Sequence, residues 1–181
     1  MKENGKTKII VFSDSHGSSA LMLKTAELYR YSADYFIFLG DGLRDAEKIR
    51  DLTDKPLITV SGNCDSFFPS ALVQKAPPSC VLSLECVSLL VCHGHTFNVK
   101  YSLDALISAA RERSADIALF GHTHLPYEEY IATDSGTEKP IWLFNPGSIA
   151  KPREGKPSYG IIDIFLKDGK RSVLLSHGTA G

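Results

Sequence analysis

Between residues 9 and 124, a short, largely apolar run ends at once in a polar cluster five times, and this repetition restricts how the 181-residue chain can fold. The first run, Ile9-Ile10-Val11-Phe12, leads into Ser13-Asp14-Ser15-His16-Gly17 and reads as a buried strand with its exit. If strand geometry continues past Phe12, the period-2 alternation puts Asp14 and His16 on one side of the backbone. A carboxylate and an imidazole then converge. Tyr35–Leu39 runs into Gly40-Asp41-Gly42, and Pro56–Val60 into Ser61-Gly62-Asn63-Cys64-Asp65. Val87–Cys92 delivers His93-Gly94-His95, and Asp116–Phe120 ends in Gly121-His122-Thr123-His124. Taken singly, Asp and His populate turns for local hydrogen bonding. Their recurrence at strand ends is different, because parallel strands have their carboxyl ends on one edge, where α/β sheets bind ligands.

The segments between the runs suggest the layers. Ser18 and Ser19 can cap a helix whose apolar face is Leu21, Leu23, Leu28 and Tyr29, and a second helix is predicted over Arg44–Leu52. The first two runs then join by a right-handed crossover. After the third run the pattern changes: Val81–Leu84 and Val87–Cys92 read as a hairpin across Glu85-Cys86. A helix from Ser102 to about Arg113 carries Leu103, Leu106, Ile107 and Ala110 at helical spacing. Tyr127–Thr133 and Lys139–Phe144 flank a turn at Asp134-Ser135-Gly136-Thr137, and Asn145-Pro146-Gly147-Ser148 closes the second of these strands. Strands over Ser158–Leu166 and Arg171–Ser176 finish the chain across Lys167-Asp168-Gly169-Lys170. Crossover units followed by antiparallel strands imply an α+β chain: two mixed β-sheets face to face with helices outside, a four-layer αββα sandwich. The length suits one domain over residues 1–181.

Composition excludes more than it identifies. A formal charge of -1 without a Lys/Arg cluster gives no strong nucleic-acid signal and no polybasic anchor. The polar start Met1–Lys6 and the lack of a long apolar run argue against a membrane span, so a cytoplasmic protein is expected. Cys64, Cys80, Cys86 and Cys92 include no Cys-x-x-Cys pair and suggest neither a zinc knuckle nor a disulfide framework; the last three read as small buried hydrophobes.

The collected donors are Asp14, His16, Asp41, Asn63, His93, His122 and His124, with His95 in addition. Oxygen and imidazole without thiolate suit manganese, iron, zinc or cobalt. Seven ligands exceed one such ion, and two ions roughly 3.5–4 Å apart share a carboxylate naturally. Asp41, central among the strand ends, is the choice for the bridge. Two divalent ions contribute more positive charge than Asp14 and Asp41 cancel, which favours an anionic substrate and a water acidified toward neutrality for in-line attack.

Asp14-x-His16, Gly40-Asp41, Gly62-Asn63, His93-Gly94-His95 and Gly121-His122-x-His124, in this order, resemble the five signature blocks of the calcineurin-like metallophosphoesterase superfamily. Asn145-Pro146-Gly147-Ser148 resembles a further segment of its small bacterial and archaeal phosphodiesterase branch. The resemblance implies the αββα fold. It also implies one ion on Asp14, His16, Asp41 and His124 and another on Asp41, Asn63, His93 and His122, most often manganese, with zinc, iron, nickel or cobalt as alternatives. The implied activity is hydrolysis of a small or nucleotide-like phosphate diester; a phosphomonoesterase and a non-catalytic scaffold like the retromer subunit are the alternatives. His16, which is Asn in that scaffold, favours catalysis. Many superfamily members carry His directly after the block-three Asn; here it is Cys64, as the small branch tends to allow, and a neutral thiol is a poor general acid. Asp41 and His95 are therefore the catalytic candidates, and Asn63, His95 and Arg153 the substrate-binding ones. His95 could equally orient a ligand, and Arg153 could be a solvated loop charge. Asp65 either orients Asn63 or shapes its turn, and His177 is taken as structural. Phe67 and Phe68 could form a lid, a dimer contact or a packed loop, and a homo-oligomer is expected on the resemblance alone.

Overall fold

The computed structural model describes residues 4–67, 75–84, 87–133 and 139–181. The first three apolar runs become β1 (Asn4–Phe12), β2 (Tyr35–Phe38) and β3 (Leu57–Thr59), hydrogen-bonded in parallel. The last two strands return to this sheet, β9 (Ser158–Lys167) antiparallel to β1 and β10 (Lys170–Thr179) antiparallel to β9, giving the order β10-β9-β1-β2-β3. The second sheet is built from β4 (Ser79–Leu84), β5 (Val87–Cys92), β6 (Ile117–Leu119), β7 (Pro126–Ile131) and β8 (Ile141–Pro146). Its order is β4-β5-β6-β8-β7, with β5, β6 and β8 parallel at its centre.

The continuous apolarity of the runs follows from burial on both faces. In β1, Ile9 and Val11 point between the sheets and meet Leu89, Val91, Ile117, Leu119 and Phe144 from the other sheet. Ile10 and Phe12 point outward onto α1 (Ala20–Tyr29) and α2 (Leu43–Glu47). On the far side, Leu90, Ala118 and Leu143 pack on Leu106, Ala109 and Ala110 of α3 (Asp104–Glu112). Three apolar layers between four structural ones make the predicted αββα sandwich. Among the described residues no helix is long and apolar enough to cross a membrane.

Several boundaries differ from the sequence-based expectation. The buried face of α1 is Met22, Thr25 and Ala26, one helical stripe, whereas Leu28 lies off that stripe and is 72% exposed. Ser19 makes no side-chain cap; its hydroxyl accepts from Lys48 Nζ instead. The predicted Arg44–Leu52 helix is α-helical only to Glu47 and tightens into a 3-10 segment over Lys48–Asp51, a common way for a helix to end. The connections at Glu85-Cys86 and Asp134–Thr137 lie outside the described residues, as does Phe68.

Candidate metal centre

Each polar motif does leave the carboxyl end of a strand, but the backbone there is not strand. β1 stops at Phe12, and both Asp14 (φ 57°) and His16 (φ 46°) are left-handed, so the alternation argument for their convergence does not hold. They converge because the chain coils against the next loop: Asp14 N–H donates to Gly40 O (3.1 Å) and His16 N–H to Asp41 O (2.9 Å). Asp41, His122 and His124 share the left-handed geometry. Five of the eight described non-glycine residues with positive φ are thus candidate ligands, a concentration of sparsely populated backbone expected where surrounding structure over-determines a functional loop.

The loops are locked to one another. Asp65 is buried, and its carboxylate accepts the N–H groups of Asp41 (2.9 Å), Gly42 (2.8 Å), Leu43 (2.9 Å) and Gly62 (2.8 Å). Its role is therefore to shape the turns. Gly40 (φ 100°) allows the close approach, since a Cβ there would lie 2.5 Å from Gly62 N. The segment Asn145–Ser148 braces both sheets' loops: Ser148 Oγ donates to Asp14 O (2.8 Å), and Asn145 Nδ2 donates to Gly121 O (3.0 Å) and Thr123 Oγ1 (3.0 Å). His177 Nε2 pairs with Asn145 O at 2.7 Å while its ring stacks on Phe144, a structural placement.

Six of the predicted ligands come together. Asp14, His16 and His124 offer donor atoms within 4.8 Å of one another, and so do Asp41, His93 and His122. His124 Nε2 lies 3.1 Å from both Asp14 Oδ1 and His16 Nε2. His93 Nε2 is 3.5 Å from Asp41 Oδ2, and His16 Nε2 is 3.8 Å from the same oxygen, so Asp41 stands between the two groups. His93 donates from Nδ1 to Leu39 O (2.8 Å) and His124 from Nδ1 to Lys151 O (2.7 Å), which turns both Nε2 atoms inward. Asp14 Oδ1 and His93 Nε2 are buried, and despite the close approach of His124 Nε2 to the first and Asp41 Oδ2 to the second, neither makes a hydrogen bond of normal geometry among the described residues. Unsatisfied buried polar atoms are costly. An oxygen and a nitrogen so placed, with imidazoles around them, fit a divalent cation.

The charge states divide the ligands. Burial works against the Asp14 and Asp41 anions, yet His124 and His93 beside Asp14, and His93 with the Cys64 N–H beside Asp41, hold both carboxyls below the usual range. Burial and the neighbouring His93 push His122 down to about 4, and burial also lowers His16 and His95. Those three imidazoles are neutral at pH 7, the form a metal requires. His93, against the pull of burial, and His124 are instead held above the ordinary value by the Asp41 and Asp14 carboxylates beside them, so a metal there competes with a proton. Burial and Asp41 push the Cys64 thiol up to about 11, so it is protonated.

The remaining predicted residues are placed differently. Asn63 is exposed at the rim, and its Nδ2 donates to Cys64 Sγ (3.2 Å). Cys64 Sγ in turn reaches a group with His16 and Asp41. His95 packs near His93 and His122, ring centroids 5.3 and 6.1 Å away, with Nδ1 buried and unpartnered among the described residues. The Arg153 N–H donates to His124 O (3.1 Å) while its side chain is exposed. A cleft of about 890 Å³ opens beside the centre, walled by His16, Asp41, Cys64, Lys48 and Lys151 among others. Lys151 and Asp45 are wall residues that sequence reasoning missed: nothing in spacing separates a loop Lys facing the cleft from Arg153 two residues on.

Known proteins share this architecture and part of this sequence. Residues 7–167 match the calcineurin-like phosphoesterase superfamily domain. The phosphodiesterase YfcE of Escherichia coli is 35% identical over 176 residues, which cover 86% of this chain and 87% of that protein. A conserved Streptococcus pneumoniae protein described as a predicted phosphoesterase superposes with TM-score 0.70 at 26% identity, over 95% of this chain and 99% of that one. Vacuolar protein sorting 29 of Cryptosporidium parvum shares the fold at TM-score 0.69 and 19% identity, over 96% of this chain and 98% of that one. With the family domain spanning both sheets and all the strand-end motifs, the chain belongs to the calcineurin-like phosphoesterase superfamily.

Proposed function

We propose that the chain is a phosphodiesterase that uses two divalent ions, most often manganese, to hydrolyse small or nucleotide-like phosphate diesters. The observation that carries this is the pair of ligand groups meeting at Asp41, with Asp14 Oδ1 and His93 Nε2 buried and aimed inward. One ion would rest on Asp14, His16, Asp41 and His124, the other on Asp41, Asn63, His93 and His122. When bound, such ions supply positive charge for phosphoryl oxygens and a water acidified toward neutrality. The chain's own residues do the rest. Leu39 O and Lys151 O fix the tautomers of His93 and His124, and the locked loops hold the donors without reorganisation. The cleft beside His16 and Asp41 takes the ester's substituents, with Lys151 on its wall to meet negative charge.

The neutral Cys64 thiol cannot act as an efficient general acid, so a good leaving group is favoured. The test strips the protein with a chelator, reloads it with manganese, zinc, iron, nickel or cobalt in turn, and compares an aryl phosphate diester with the matching monoester. Metal-restored cleavage that prefers the diester is expected. Preference for the monoester would make it a phosphomonoesterase, and metal uptake without cleavage of either would make it a scaffold.

A further inference from the structure

We infer that Asp45 is a positioning residue for His16, acting selectively on the ion that His16 would hold; this rests on the two-ion reading above. Asp45 lies in α2, outside every motif, and is only 4% exposed. An Asp in the first turn of a helix usually serves the N–H groups at its own helix start. Here the carboxylate crosses to another loop. Its Oδ2 accepts Ser15 Oγ at 2.8 Å and Gly17 N at 2.9 Å, the residues on either side of His16. Its Oδ1 meets Lys48 Nζ at 3.2 Å, and Lys48 also reaches Ser19 Oγ at 3.0 Å, so the start of α1 joins the same network.

The clamp is closely packed. A Cβ on Gly42 would lie 1.9 Å from Ser15 Oγ and 3.2 Å from Asp45 Oδ2, so only glycine lets the two loops meet. His16 needs such a support because its backbone is left-handed and, among the described residues, its side chain is held by no backbone carbonyl of the kind that fixes His93 and His124. Its Nε2 faces Asp14, Asp41 and His124, so a shift of the Ser15–Gly17 loop would move one ligand group, while Asp65, which holds the Asp41 N–H at 2.9 Å, keeps Asp41 beside His93 and His122.

The experiment titrates chelator-stripped protein with Mn²⁺ by calorimetry, using wild type, Asp45→Asn, Ser15→Ala, His16→Ala and the Asp45→Asn/His16→Ala double variant. Wild type should bind two equivalents. Asp45→Asn should weaken one of them about 10–100-fold, the usual effect of losing a partner that orients a ligand. Ser15→Ala, which keeps the carboxylate and the Gly17 bond, should weaken the same one by less. In the His16→Ala background, Asp45→Asn should leave the remaining ion unchanged, because the two residues act as one unit. Unchanged binding in Asp45→Asn, or further weakening of that remaining ion, overturns the assignment. If Asp45→Asn does not fold, unchanged affinity in Ser15→Ala overturns it. A wild type that binds a single ion removes the two-ion reading, and with it the selective role; the wild-type arm alone shows this.

Discussion

Asp65 holds Asp41 by its backbone: the Asp65 Oδ2 atom accepts the Asp41 N–H at 2.9 Å, and the same carboxylate serves Gly42, Leu43 and Gly62. Asp65→Ala would leave these N–H groups without an acceptor in a largely buried setting. Each orphaned group costs about 1–3 kcal/mol, so the variant should lose about 3 kcal/mol or more of stability. Urea unfolding of the metal-free protein measures this, and Asp65→Asn, which keeps one acceptor oxygen, should lose distinctly less.

Asp41 stands between both ligand groups, whereas His16 belongs to one. Asp41→Asn should therefore weaken both equivalents of bound metal together, and His16→Ala mainly one. Metal counting after dialysis at limiting free manganese separates the cases. Equal retention of both ions in Asp41→Asn would remove Asp41 from the shared position.

The raised pKa of Cys64, about 11, sets its reactivity. Only the thiolate reacts with alkylating agents. Alkylation of Cys64 in the metal-free chain should be slow at neutral pH and rise about tenfold per pH unit until it levels near pH 11, as followed by mass spectrometry of the Cys64 peptide. A rate that levels near neutral pH would show a thiolate at the centre.

Far from the centre, Asp163 on β9 pairs with Lys8 at 2.9 Å and Lys6 at 3.0 Å. Burial opposes its charge, but the two lysines outweigh burial and hold the carboxyl below its ordinary value. A depressed folded-state pKa contributes stability that is fully present above the unfolded value, about pH 4, and is lost as pH falls through the folded value. Asp163→Asn should flatten the fall in urea midpoint below about pH 4 while lowering the midpoint modestly at pH 7. An unchanged acid slope would show that the pair does not report on folding.

Much of this was legible in the sequence for identifiable reasons. Strands such as Ile9–Phe12 and Tyr35–Leu39 are buried on both faces, which leaves a continuous apolar run that few other structures produce. Asp14, Asp41, His93, His122 and His124 were found because their chemistry is rare at strand ends in such numbers. Among the supporting residues, Asp65 and Ser148 lay in visible motifs without their contacts being readable, and Asp45 carried no mark at all. Asp45 looks like any polar residue on a surface helix until the helix's orientation is known, and Ser148 acts through a hydroxyl that reaches Asp14 across 134 positions of chain. The exposure of Leu28 likewise depends on which stripe of α1 meets the sheet. The left-handed turns at Asp14 and His16 were hidden because such backbone is usually sought at glycine.

The ligand loops come from both layers of the sandwich: Asp14, His16 and Asp41 leave the first sheet, and His93, His122 and His124 the second. A cation held between them would be a cross-link that couples coordination to the mechanics of the whole domain, and the sheets could not then part at this edge without breaking bonds from both sides. Amide protons of β1, β2, β5 and β6 would then exchange with solvent only through openings that first release the ion, so free metal concentration would regulate how often the interior meets water.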